Sequence, residues 1–492
     1  MATNPNNIST PHLCRINRRE LVIGLAALCI SGRTSLAEVA DDTEIPVSLN
    51  LPIRSSSVPA DFFGLSYESA QLANPAFFSR GNTQLISLFR EFSPTGNLRL
   101  GGGSSEFTTY SDSVSAGPPP FEVFGPDTSK TVKTGTITSA LALKNLREFL
   151  DATDWNCLYG LNLGQGSVEN AVREAAAAHR ILGPRLLAFQ IGNEPDSFRR
   201  RYRPETYTPA DYLGEWVRFH DAIVQVTPGA RFAGPDISNK LPYLTAFAEM
   251  APQYRDIVLL TSHYYAMGPA GNPAVTLDNL LAPDPKLSTM KQRDLHIIQE
   301  AQQTAHLPYR MSEGNSCWNG GEEGVSDTFA SALWCASYLL GCMGRGWVGA
   351  NLHGGGNGFY TPIAGAPSTG FSRRPEFFGV QFLRSCLGTR VQPVVLTAGD
   401  RDVEAFVVED GGKTEFIFIN KTAQAVSFRL PNGVTVSASR RLQAPALNAK
   451  EGVQIRTISE AHSARATAPP YTVTAFSVAS KHSTDSSHTK GL

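Results

Sequence analysis

The chain has 492 residues, a formal net charge of −1 and 18% charged residues, enough for one large domain and a smaller companion. A nearly balanced charge excludes nucleic acid and an anionic membrane as main partners. Seven cysteines without close metal-ligand spacing exclude a disulfide framework and point to neither metal nor cofactor.

The chain opens on a leader. Arg15-Ile16-Asn17-Arg18-Arg19 is basic, Leu21 to Ile30 is apolar, and Ser35-Leu36-Ala37 offers small residues where a signal peptidase reads. A membrane span needs about 20 apolar residues, so residues 1–37 read as a signal peptide. Arg18-Arg19-Glu20-Leu21-Val22 resembles a twin-arginine export signal, with the general secretory route as the alternative. The expected product is exported, periplasmic or extracellular, with no membrane attachment after processing.

Pro46 to Ile53 then alternates as a strand does. From Phe62 to about residue 385 a βα rhythm follows. The strand-like runs are Phe62 to Glu68, Leu98 to Leu100, Leu158 to Leu163, Leu186 to Ile191, Arg231 to Ala233, Ile257 to Leu260, Pro308 to Met311 and Trp347 to Leu352. Helical patterns lie at Ser139 to Ala152, Ser167 to Leu182, Ala210 to Val226, Leu287 to Thr304 and Val325 to Cys342. Within the last, Cys335 and Cys342 read as core residues. Strands alternating with helices predict a (β/α)₈ TIM barrel over 57–385, with Ser113 to Thr134 a long loop over its mouth. Beyond 385 the runs shorten and alternate: Val403 to Val408, Thr414 to Asn420, Ala425 to Leu430 and Tyr471 to Val478, with Asp410-Gly411-Gly412 as a hairpin turn. Residues 386–480, joined by 44–56, are expected to form a C-terminal antiparallel β-sandwich. Residues 481–492 are polar and read as a disordered tail.

In such a barrel function gathers at the carboxyl ends of the strands. Here those ends are Glu68, Gly101-Gly102-Gly103-Ser104-Ser105, Asn162, Asn193-Glu194, Asp236, His263-Tyr264-Tyr265, Glu313 and His353 to Asn357. Nearly all are polar, as a hydroxylated ligand demands and a filled core does not. The run Gly101 to Gly103 lacks a following lysine and is no phosphate loop. An isolated glutamate is by default a solvated charge, but two stand at strand ends. Glu194 falls where Gly192 and Pro195 close a short apolar run, and Glu313 follows Tyr309-Arg310-Met311-Ser312. Two carboxyl groups on different strands suit glycosidic cleavage: one protonates the departing oxygen, the other attacks the sugar carbon or activates water. His263 reads as a hydrogen-bonding support, His353 as pocket wall or packing, and Asp236 as structural.

Asn193-Glu194-Pro195-Asp196-Ser197-Phe198, His263-Tyr264-Tyr265, Ser312-Glu313 with Ser326-Asp327-Thr328-Phe329-Ala330, and Leu98-Arg99-Leu100-Gly101-Gly102 together resemble glycoside hydrolase family 79, the heparanases and bacterial β-glucuronidases. The resemblance covers roughly residues 46 to 480. It implies a retaining exo-acting β-glucuronidase with Glu194 as acid/base and Glu313 as nucleophile. It further implies Asn193 on the sugar 2-hydroxyl, Tyr264 against the nucleophile, and Glu68 on sugar hydroxyls; Ser104 and Ser105, at the second strand end, are also expected to bind substrate. The uronic carboxylate would lie among Trp318, Asn319, Gly320 and Tyr360. Trp318 stands where the family commonly has tyrosine, which leaves a neutral or 4-O-methylated sugar as the rival substrate. A non-catalytic carbohydrate-binding barrel is the rival from another class.

Overall fold

Eight strands pair in parallel and close on themselves: β1 (Phe63–Glu68), β2 (Gly96–Gly101), β3 (Trp155–Leu161), β4 (Leu186–Ile191), β5 (Phe232–Ile237), β6 (Ile257–Pro269), β7 (Tyr309–Trp318) and β8 (Gly349–His353). This computed structural model describes residues 44–48, 55–112, 135–199, 201–282, 292–396 and 402–480. The leader 1–37, the 113–134 segment, the later part of the Pro46 to Ile53 run and the tail 481–492 lie outside the described residues. Among the described residues no helix is long and apolar enough to cross a membrane.

One main helix follows each strand: α1 (Thr83–Phe92), α2 (Ala140–Thr153), α3 (Val168–Leu182), α4 (Pro209–Val226), α5 (Pro242–Met250), α6 (Gln292–Ala305), α7 (Phe329–Gly344) and α8 (Pro375–Leu383). Their starts are written locally. Ser139 and Ser167 accept N–H bonds from Ala142 and Asn170, and Thr208 forms a reciprocal capping box with Asp211 ahead of Pro209, which satisfies donors a helix end leaves open. The α7 pattern was expected from Val325, but residues Glu322 to Thr328 turn first, with Ser326 N–H on Glu322 O and Thr328 Oγ1 on Val325 O. Sequence analysis missed α1, α5 and α8. Helix α1 buries Leu85, Ile86, Leu88, Phe89 and Phe92, a helical spacing open to detection. Helix α8 is apolar nearly all round, so it carries no periodic signal.

The barrel separates two environments by strand alternation. Outward residues such as Leu65, Leu98, Leu100 and Phe189 pack under the helices in the main core, whereas inward Ser66, Arg99, Gln190, Thr261 and His263 are polar and fully buried. Leu158, Ala188, Ala233 and Leu259 form a small apolar cluster below them.

The β-domain has two sheets. The larger runs in the order β9 (Arg390–Val394), β10 (Val403–Asp410), β11 (Lys413–Asn420), β16 (Thr472–Ser480), β13 (Val434–Gln443), β14 (Gln454–Ser463); the smaller pairs Ile45–Pro46 with β12 (Val426–Arg429) and β15 (Arg465–Ala468). Between them lie Ile45, Val407, Phe416, Phe418, Phe428 and Phe476. Asp410 pairs with Lys413 across Gly411-Gly412, both glycines at positive φ (52° and 97°), the backbone a two-residue hairpin requires. The domain is tied to the barrel where Ser337 on α7 donates to Glu404 at 2.7 Å, a carboxylate that Lys421 of the β-domain also holds at 2.6 Å.

Candidate active site

Strand β4 ends at Ile191, and the chain turns through Gly192 (φ 87°), Asn193 and Glu194 (φ 49°). A left-handed glutamate is uncommon; its N–H is held by the Asp236 carbonyl at 2.9 Å. Glu313 lies inside β7, opposite His263 of β6 in register. Glu194, His263 and Glu313 thereby present polar atoms all within 4.8 Å of one another. Glu313 is buried, and the Glu194 side chain retains about a quarter of its exposure.

Beneath them lies a charged network. Arg99, on β2, places Nη1 2.5 Å from Glu313 Oε2 and Nη2 2.5 Å from Asp236 Oδ2, and also donates to Asn193 Oδ1 at 2.7 Å. A guanidinium has only donors, so the Asn193 carboxamide must face it with oxygen, leaving its NH₂ to donate elsewhere. His263 sits between carboxylates, Nδ1 3.1 Å from Glu194 Oε1 and Nε2 3.2 Å from Asp236 Oδ1. Tyr265 donates to Glu313 Oε1 at 2.8 Å. His353 Nδ1 is 3.6 Å from Glu313 Oε2.

The electrostatics divide the two glutamates. Burial pushes Glu313 up, but His353, His263, Arg99 and the Tyr265 hydroxyl outweigh it and hold the carboxyl at about 2. Burial raises Glu194, with Glu313 and Asp196 adding to the rise and His263 opposing it. Burial works against a charged His263, yet Glu313 and Asp236 carry it up to about 10. Asp236 is desolvated too, but Arg99 and His263 hold it well below the ordinary carboxylate range. Arg99 and the histidines thus favour the ionised forms of Asp236 and Glu313, whereas burial and the neighbouring Glu313 shift Glu194 toward its protonated form. Environments that push two carboxyls apart in this way suit one to donate a proton and the other to act as a carboxylate.

The walls match the sequence expectations unevenly. Glu68 accepts from Ser104 N at 2.7 Å and from Ser104 Oγ at 2.5 Å, and its other oxygen is 3.7 Å from His353 Nε2. Ser104 was expected to touch substrate; its hydroxyl instead donates to Glu68 and accepts from Ala70 N. Ser105 likewise donates to Gly102 O at 2.9 Å. Both hydroxyls serve the protein and position Glu68 and the Gly102 turn. Tyr264 was expected on the nucleophile, but the hydroxyl reaching Glu313 is that of Tyr265. Tyr264 points to the opposite face of β6 and stacks on Tyr338 of α7, centroids 4.5 Å apart. Successive strand residues face opposite ways, so a choice one position off exchanged pocket for core. Trp318 ends β7 and is 42% exposed. Asn319, Gly320 and Gly321 follow at positive φ, with Tyr360 N–H on Gly320 O. A Cβ on Gly321 would come within 2.6 Å of Tyr360 N, so this loop closes on Tyr360 only because it is glycine. The Tyr360 ring is buried, 6.4 Å from that of Tyr265 and 5.7 Å from that of His353.

A space of about 340 Å³, counting its open mouth, is lined by Gly103, Glu106, Asn193, Glu194, Phe198, Arg201, Tyr202 and Glu313. Of these, Glu106, Arg201 and Tyr202 were missed, as were Arg99 as counter-ion and Tyr265. Arg99 had a signal: a charge inside the run Leu98-Arg99-Leu100 is almost never buried unpaired. Asp236 stood at a strand end but its role as anchor of Arg99 and His263 depends on long-range contacts.

No family model matches the chain. It is similar to a β-glucuronidase of Aspergillus niger, 28% identical over 349 residues, 65% of this chain and 61% of that protein. It is also similar to a β-glucuronidase of Neurospora crassa, 26% identical over 312 residues, 57% of this chain and 54% of that protein. The chain thus aligns with less than two thirds of either relative. Among solved structures, a 4-O-α-L-rhamnosyl-β-D-glucuronidase from Fusarium oxysporum 12S superimposes with a TM-score of 0.70 at 17% identity, covering 88% of this chain and 99% of that one. At that identity the likeness concerns the fold. Sequence similarity to proteins named β-glucuronidase thus stands beside the motif resemblance.

Proposed function

We propose that the protein is a retaining, exo-acting β-glucuronidase. One observation carries this reading: Glu313, held by Arg99 and Tyr265, and Glu194 share one cavity, with polar atoms within 4.8 Å. Retaining glycosidases hold their carboxyl groups about 5 to 5.5 Å apart, and inverting ones hold them wider to admit water. Glu313 attacks the anomeric carbon while Glu194 passes its proton to the departing oxygen, leaving a covalent glycosyl-enzyme. Glu194, now ionised, takes a proton from water, which attacks the same carbon and frees Glu313. The Asn193 NH₂ would hold the 2-hydroxyl, Glu68 the hydroxyls on the far side of the ring, and Tyr265 would keep Glu313 aimed.

The uronic carboxylate would sit among Tyr360, Asn319 and Gly320, with Trp318 flanking the mouth. A phenol donates well to a carboxylate, and a turn of left-handed residues exposes amides without obstructing side chains. The similarity to proteins named β-glucuronidase supports this sugar. Export through the leader is part of the same proposal, since an exported hydrolase meets extracellular glycans or conjugates.

The test is a panel of aryl β-glycosides. Turnover of the glucuronide above the glucoside, xyloside and galactoside is expected, with the β-anomer as first product by NMR. An α first product would refute retention. Selective cleavage of a neutral sugar would refute the substrate, and tight binding without cleavage of any would refute the enzyme.

A further inference from the structure

Glu106 takes no part in the chemistry above, yet it is fully buried beside it. It sits on the short helical turn Gly103–Phe107 that follows β2. Its carboxylate accepts from the N–H groups of Asn193, Gly164 and Leu163, the last at 3.1 Å. Glu106 on the loop after β2 thereby joins the loops after β3 and β4. Among the described residues no cation pairs with it, so backbone N–H groups take the place of water around this carboxyl. The approach is close: a Cβ on Gly164 would lie 2.7 Å from Glu106 Oε2.

The position of the clamp matters. Glu194 adopts a left-handed backbone (φ 49°) that a glutamate holds only when its neighbours enforce it. Its own N–H is fixed by Asp236 O, and the N–H one residue earlier, on Asn193, is fixed by Glu106. We infer that Glu106 is the positioning residue of the acid/base turn: by clamping the Asn193 backbone to the loops after β2 and β3, it aims the Asn193 carboxamide and the Glu194 carboxyl at the substrate. Glu106 reaches no reacting atom, and the inference rests on the glycosidase reading of Glu194 and Glu313.

The experiment compares two probes on the full chain. Phenyl β-glucuronide needs both the acid and the 2-hydroxyl contact. The dinitrophenyl 2-deoxy-2-fluoro-β-glucuronide needs neither, because its leaving group departs unaided and it has no 2-hydroxyl, so it reports Glu313 alone by covalent labelling. In Glu106→Gln one acceptor oxygen becomes an NH₂ facing N–H donors. Turnover of the phenyl glucuronide should fall about 30- to 100-fold, chiefly in kcat, as expected of misaligned acid catalysis. Labelling of Glu313 should stay within about 3-fold of the unaltered protein, since its nucleophile is supported from other strands. Gly164→Ala, which drives a methyl group onto Glu106 Oε2, should produce the same split and decides the matter if Glu106→Gln does not fold. Equal loss of turnover and labelling, or no loss of turnover, would overturn the inference. If the unaltered protein ignores both glucuronides, the sugar assignment is what fails, and the same pair of probes is built on the sugar it cleaves. If it cleaves and is labelled by none, the hydrolase reading falls and this inference with it.

Discussion

Replacing Tyr265 with phenylalanine removes the hydroxyl that meets Glu313, together with its hydrogen bond to the Tyr360 phenol. The phenol donates to Glu313 Oε1 at 2.8 Å in a buried site, and phenylalanine keeps the ring while removing the donor. A hydrogen bond to a charged group is worth about 1.5–3 kcal/mol. The bond favours only the ionised carboxylate, and each pH unit corresponds to about 1.4 kcal/mol, so the Glu313 carboxyl should rise by about 1 to 2. From about 2 in the intact site, it would reach about 3 to 4. Glu313 must be ionised to attack. Activity is therefore present above its folded pKa and lost as the pH falls through it, and a raised pKa moves the acid limb upward. The assay is kcat/KM for an aryl β-glucuronide between pH 3 and 7, with folding followed by circular dichroism. Tyr265→Phe should bring the acid limb into this window, and Tyr264→Phe should leave it where it is. An unmoved limb in Tyr265→Phe, or a larger shift in Tyr264→Phe, would refute the assignment of the nucleophile's partner.

Glu194→Gln should lose most turnover of poor leaving groups but retain far more on dinitrophenyl glycosides, and it should erase the basic limb of the pH profile, because Glu194 must be protonated to act and loses its proton as the pH rises through its raised pKa; equal losses on both substrates would remove it from the acid role. Glu313→Ala should be inactive on every aryl glycoside, with azide restoring turnover and giving the α-glycosyl azide; turnover without azide would exclude it as nucleophile. Tyr360→Phe should weaken glucuronide turnover about 10- to 100-fold, the factor of a lost charge-assisted bond, and barely change the matching glucoside; the same loss on both would make Tyr360 a wall of the pocket and no reader of the acid.

What the sequence determined is local. Strand and helix patterns alternate from Phe62 onward because each segment's apolar spacing depends on its own neighbours, and the Asp410-Gly411-Gly412 turn is legible because only certain residues tolerate its backbone. Asn193-Glu194 and Glu313 could be singled out because strand ends of a barrel are where polar groups gather. What the tertiary structure decided is pairing across distance. Tyr265 rather than Tyr264 meets Glu313 because inward and outward faces are set by the pairing of β6 with its neighbours, and a one-residue difference in phase reverses them. Arg99 is visible in the sequence as a charge in an apolar run, but Glu313, Asp236 and Asn193 lie 214, 137 and 94 residues away. Which of two chemically identical carboxyls is favoured in its ionised form depends on the cations facing each one, and those arrive from other strands only when the barrel closes.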